Sequence, residues 1–239
     1  MKEERISLVT GSSRGIGRAI ALRLADVTSG VAVHYKENEA AAQEVVRLIE
    51  GKGKLARAFR ADLTDEDASK GLIKSIESHF GRLDILVNNF GPIIDKPWQE
   101  LTTADWELMY RSVFLSAFWC ISGALPGMRE RRWGRIINIG YNRVEQLVAF
   151  SKITSYAVAK TALLILTRSV AAAEVKSGIT VNMVSPGLIE GGMTPARGKI
   201  SPEYFGKAAD VAEAVSFLAS DKASHISGTN LIVAGAWKL

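Results

Sequence analysis

Along the chain, short apolar runs alternate with longer segments whose apolar side chains recur at helical spacing, and the alternation never breaks. Residues 6–10 form one such run, stopping at Gly11; Ile16, Ala19, Ile20 and Leu24 follow at helical spacing over 15–25. Strands are expected at 31–35, 55–60, 83–88, 135–139, 180–185 and 230–233. Helices are expected at 39–49, after Thr64 as a cap, from Thr102 or Thr103 to about Arg131, at 155–176 and at 210–220. Residues 83–88 are apolar on both faces, as a parallel strand covered by helices on each side must be. Repeated strand–helix units imply right-handed crossovers. The expected fold is therefore α/β, a Rossmann-type doubly wound parallel sheet of about seven strands with helices on both faces. With no internal repeat, linker or low-complexity segment, residues 1–239 read as one domain.

Composition narrows the function classes. The chain has 239 residues, 47% apolar and 23% charged, as in an ordinary globular protein. No uninterrupted apolar run approaches the roughly 18–20 residues of a membrane span. The first five residues lead directly into a strand, so no signal peptide and a cytoplasmic location are expected. Cys120 is the sole cysteine and reads as a core residue in an apolar helix. His34, His79 and His225 share no ligand spacing, so no metal is expected. The net charge of +5 is densest at Arg129, Arg131, Arg132 and Arg135, around Trp133. These cations fall where a long helix ends and complement its dipole, so no nucleic-acid partner is inferred.

Gly11, Gly15 and Gly17 lie between the first strand and the first helix, where a dinucleotide pyrophosphate needs close backbone approach and a helix N-terminus. An NAD site places an acid about 20 residues on, at the end of the second strand, to bind the ribose hydroxyls. Here that place holds His34, Tyr35 and Lys36. Arg14 and Lys36 are suited to a 2′-phosphate, so the expected cofactor is NADP(H). Asp62 and Leu63, after the third strand, are expected at the adenine; Asn88, Asn89, Phe90 and Gly91, after the fourth, are expected to line its ribose and steady the neighbouring strand.

Tyr156 and Lys160 lie one helical turn apart, after the fifth strand. An ammonium beside a phenol favours its ionised form and makes it a better proton donor. Such a pair can protonate a carbonyl oxygen while hydride reaches carbon.

The whole chain resembles a classical short-chain dehydrogenase/reductase. The matching segments are residues 10–17, which include Ser13 and Ile16, then Asp62-Leu63, 88–91, 134–139 ending at Ile139, 156–160, and Ser185-Pro186-Gly187. Across 134–138 and 178–187 it is most similar to 3-oxoacyl-carrier-protein reductases. The resemblance implies that Pro186, Gly187 and Ile189 flank the nicotinamide, and that Lys160 also holds its ribose. It also implies a homotetramer or homodimer assembled through the two long central helices and the last strand.

Four departures stand out. The family's serine after the fifth strand is replaced by Tyr141, followed by Asn142, with about two extra residues before Tyr156. The family's helix asparagine is replaced by Val113, and the segment from Met193 to Asp210 is shorter than the usual substrate-covering loop. Gly191 replaces the familiar threonine after Pro-Gly. The expected activity is NADP(H)-dependent reduction of a ketone to a secondary alcohol, on a 3-oxoacyl-thioester-like or other bulky, carrier-borne substrate. Tyr141 or Asn142 then supplies the missing carbonyl hydrogen bond. Residues 89–92 and 140–141 are also similar to reductases of an aminopentanone group on elongation factor P, and 31–36 to pteridine reductases. The alternative is an impaired relative serving as an NADP-binding or assembly partner.

Overall fold

The computed structural model describes residues 4–192 and 200–237. Its sheet has seven strands in the order β3-β2-β1-β4-β5-β6-β9, every neighbouring pair parallel. The strands are β1 (Ile6–Val9), β2 (Gly30–Tyr35), β3 (Leu55–Arg60), β4 (Ile85–Asn88), β5 (Gly134–Ile139), β6 (Ile179–Pro186) and β9 (Asn230–Val233). Chain direction reverses its progress across the sheet at β1 and β4. That crevice, outside the carboxyl ends, is where open α/β sheets take ligands. A separate small sheet pairs β7 (Leu188–Ile189) with β8 (Phe205–Gly206).

Helices α1 (Gly15–Leu24), α2 (Glu39–Glu50) and α7 (Ala208–Leu218) pack on one face around Ile20, Val45, Ile49 and Val215. Helices α3 (Glu66–Phe80), α5 (Ser116–Arg131) and α6 (Thr154–Glu174) cover the other, around Ile73, Ile76, Cys120, Ile121 and Met128. Every residue of β2, β5 and β6 is buried, whereas the edge strand β3 alternates outward-facing and partly covered residues. That is the difference between strands covered on both faces and one that ends the sheet.

Several expected boundaries shift for physical reasons. Asp65, not Thr64, caps α3, its carboxylate accepting from the Ala68 N–H at 2.8 Å. Thr64 is drawn away to Asp62, whose Oδ1 accepts from its N–H and its hydroxyl. Thr102 caps α4 (Thr103–Met109) through a reciprocal capping box with Asp105. The long helix is not uniform: a π-helical stretch, Tyr110–Leu115, joins α4 to α5.

This whole segment, Thr103–Arg131, is long and apolar enough to cross a membrane by length and composition, although no uninterrupted apolar run within it reaches that length. Polar residues such as Arg111 interrupt the run without lowering its mean hydropathy enough. Of its most apolar window, 56% is buried, in packing against α3 and α6.

The terminal arginines do more than complement a helix dipole. Arg129 pairs with Glu174, and Arg131 with the fully buried Asp84. Arg135 lies 3.7 Å from Asp221 and stacks on Trp133, whose indole also carries Arg5 at 3.9 Å. Arg132 takes a left-handed conformation and donates to the Lys176 carbonyl.

Candidate active site

The turn between β1 and α1 is held from below by side chains. The Thr10 hydroxyl accepts from the Asn89 and Phe90 N–H groups, each at 2.9 Å. The Asn89 amide in turn donates to the carbonyls of Thr10 and Gly11, at 2.9 and 3.2 Å. Gly11 and Gly15 have φ of +63° and +57°, a region that glycine occupies without a Cβ clash. Gly17 is required for a different reason: a Cβ there would lie 2.3 Å from the Gly11 carbonyl oxygen. The residue before α1, Arg14, is extended, exposed and gives the helix no side-chain cap. With Ser13 and Gly15 accessible too, the first helical amides lie open to an anion. This donor set fits a pyrophosphate.

At the end of β2, Tyr35 is buried, and Lys36 is exposed with its ammonium 3.0 Å from Asp62. Burial raises the Asp62 pKa, but hydrogen bonds from Thr64 and the Lys36 ammonium outweigh it, and the net shift is downward. So the cation expected at a 2′-phosphate and the acid expected at adenine are ion-paired here. Leu63 is 1% exposed and belongs to the core, which leaves only its backbone for a ligand.

From this turn a cavity of about 480 Å³ runs toward α6. Ile16, Asn89, Gly91, Ile139, Pro186, Gly187 and Ile189 line it, together with Tyr156 and Lys160. Its far side is formed by Ile93, Tyr141, Phe150, Ile153, Leu188 and Trp237. No motif announces these last walls except Tyr141, because they come from loops and a terminus with no shared spacing. A larger open groove of about 690 Å³ between β3 and α3 shares none of these residues.

Tyr156 and Lys160 are 8% and 3% exposed, in the first turns of α6. The Lys160 ammonium donates to the Ile139 carbonyl and lies 5.6 Å from the centre of the Tyr156 ring. Burial lowers the Lys160 pKa to about 8, so the group is mostly charged at neutral pH. Burial also pushes the Tyr156 phenol well above its usual value, and the Tyr141 phenol adds to that shift. Tyr156 is thereby held as the protonated acid.

The Tyr141 ring lies 5.7 Å from that of Tyr156 and 5.9 Å from Phe150. Its buried hydroxyl has no hydrogen-bond partner, and burial raises its pKa to about 12. Asn142 is occupied differently: its side-chain amide donates to the Trp237 carbonyl and its N–H to that of Pro186. Of the two residues expected at a carbonyl, Tyr141 has the spare donor and Asn142 ties down the C-terminal segment. Val113 sits in the π stretch, buried among Met109, Ala117 and Leu163, with Gly91 packed against it.

Comparison with known proteins is consistent along the whole chain. The family described as Enoyl-(Acyl carrier protein) reductase matches residues 11–237. The 3-oxoacyl-[acyl-carrier-protein] reductase FabG of Staphylococcus aureus is 38% identical over 98% of both chains. The chain belongs to the short-chain dehydrogenase/reductase family. The FabG reductase of Escherichia coli is 35% identical, covering 98% of this chain and 97% of its own. Among solved structures, a blue fluorescent protein from a metagenomic library in complex with NADPH superposes with a TM-score of 0.91. It is 35% identical over 98% of both chains. A short chain dehydrogenase from Burkholderia cenocepacia in complex with NADP gives 0.90, at 33% identity over 98% of both chains.

Tyr141, expected at the family's serine position, is a bulkier donor, and Val113, expected at its asparagine position, is apolar. The loop expected to be short falls largely on residues 193–199, outside the described residues. Its flanks are joined by β7 and β8, and Gly191 is exposed.

Proposed function

We propose that this protein is an NADP(H)-dependent reductase of a ketone, working in the cytoplasm on a 3-oxoacyl-thioester-like or other bulky, carrier-borne substrate. The observation that carries the reading is one cavity joining the open N-terminus of α1 to a buried Tyr156–Lys160 pair and the unpartnered Tyr141 hydroxyl. Gly11, Ser13, Gly15, Ile16 and Gly17 would hold the pyrophosphate. Asn89, Gly91 and Ile139 would lie along the dinucleotide, and Pro186, Gly187 and Ile189 beside its nicotinamide. The lack of an acid at the end of β2, with Arg14 and Lys36 nearby, favours the 2′-phosphorylated form. Lys36 would exchange Asp62 for that phosphate. Relatives of known name and solved neighbours bound to NADPH or NADP support the same reading.

When bound, the cofactor supplies hydride. The chain's own residues manage the proton. Tyr156 donates it to the carbonyl oxygen, and Lys160 steadies the phenolate left behind. Tyr141 donates a second hydrogen bond to the same oxygen, in place of the family's serine. Exposed Phe118, Val158 and Ile165 on α5 and α6 favour a homotetramer or homodimer built on those helices.

The test is loss of nicotinamide absorbance with a panel of 3-oxoacyl thioesters, diketones and quinones. Turnover should fall about 10²–10⁴-fold in Tyr156→Phe. A variant as fast as the wild type would overturn the mechanism. Tight NADPH binding without turnover of any ketone would favour an NADP-binding partner instead.

A further inference from the structure

The end of β2 contributes more than the residues facing the cofactor. His34 is fully buried, and both nitrogens of its ring are engaged. Nδ1 lies 2.9 Å from the Gly11 backbone nitrogen, and Nε2 lies 3.1 Å from the Ala61 carbonyl oxygen. One tautomer alone satisfies both. Nδ1 must carry the lone pair that accepts from Gly11, and Nε2 the hydrogen given to Ala61. The main chain repeats the connection: the His34 N–H donates to the Ser12 hydroxyl and the Ser12 N–H to the His34 carbonyl, both at 3.0 Å. Phe90 meets the ring edge-on at 6.2 Å. One imidazole therefore touches the glycine turn, the segment leading into Asp62, and the segment after β4.

We propose that His34 is a positioning residue of the dinucleotide site, holding Gly11 in its left-handed conformation and fixing the spacing between the glycine turn and residues 61–63. A hydrophobic residue could fill the space between β2 and its neighbours. It could not accept the Gly11 N–H, which would then be left without its partner. The two contacts lie on opposite edges of a flat, rigid ring. The turn and the adenine side of the site thereby share one reference point, independent of whether any ligand is bound.

The inference rests on the dinucleotide reading of this end of the sheet, and calorimetry on the whole protein separates the two. Wild type, His34→Asn, His34→Gln and His34→Phe are titrated with NADPH and with 2′,5′-ADP, which has no nicotinamide. The Asn side chain places its oxygen near the position of Nδ1 and keeps an acceptor for Gly11. Gln reaches toward Ala61 but leaves Gly11 without one. His34→Asn should bind both ligands within about threefold of wild type, whereas His34→Gln and His34→Phe should bind each on the order of tenfold more weakly. Affinity should follow the acceptor at Gly11 rather than the melting temperature of each variant. Wild-type affinity in His34→Gln, or equal loss in Asn and Gln, would sink the positioning role. Should His34→Phe fail to fold, the Asn and Gln pair still decides. A wild-type protein that binds neither ligand would remove the dinucleotide reading itself.

Discussion

A phenol enclosed by apolar atoms keeps its proton more firmly than one in water, and Tyr156 is enclosed this way. That is the form a reductase needs at the start of its cycle. The Lys160 ammonium is the group that titrates near neutrality, because burial has brought it down to about 8. The rate of ketone reduction should therefore decline as pH rises through about 8 and Lys160 loses its charge. A kcat profile flat to well above that value would contradict this role. Tyr141→Phe keeps the ring against Phe150 and removes only the hydroxyl. It should slow reduction about 10²–10³-fold, the typical effect of losing one oxyanion-type donor, with the NADPH dissociation constant unchanged. Equal kcat in the two proteins would return the role to another donor.

At the scale of elements, the tie between β1, β4 and α5 runs through one carboxylate. Asp84, wholly buried, accepts from the Ile6 N–H at 2.9 Å, from Arg82 at 2.7 and 3.0 Å, and from Arg131 at 3.0 Å. Asp84→Ala leaves those donors facing an apolar gap, and should lower unfolding free energy by about 3–5 kcal/mol, measured by urea titration. A loss below about 1 kcal/mol would show that water replaces the carboxylate. The same scale separates what the residues disclose from what they hide. Strands β2, β5 and β6 are legible because burial on both faces keeps them predominantly apolar, with a few buried polar residues such as His34, Asn138 and Asn182 among them. Turn glycines are legible because few other residues tolerate the geometry. The π stretch at Tyr110–Leu115 is not, since one extra residue per turn leaves the apolar pattern nearly intact. Asn142 looks like a carbonyl donor until the C-terminal segment supplies its real acceptor, Trp237. His34 was within reach: pairing Val9 with Val33 brings it beside the glycine turn. Nothing in its local sequence says so.

For the molecule as a whole, buried titrating groups shape stability against pH. Burial lowers the His34 pKa to about 4, outweighing the Ala61 hydrogen bond and the Asp62 charge, which raise it. The unfolded chain protonates this residue near 6.5, so it binds more protons than the native chain between about 6.5 and 4. Stability is full above that window and falls as pH drops through it, by about 3 kcal/mol at most. Urea titrations at pH 7 and pH 4.5 measure the loss. His34→Asn should flatten it, and an identical pH dependence in both proteins would assign the effect elsewhere. Further acidification removes a second contribution as carboxylates held below their ordinary range, Asp62 and Asp221 among them, take up protons.

The open border of the sheet has its own consequence. β3 leaves Leu55 62% exposed, yet sets Arg57 and Arg60 along the same strand. An incoming copy in register would bring guanidinium against guanidinium, so this margin resists growth into fibres while the chain stands crowded among others of its kind.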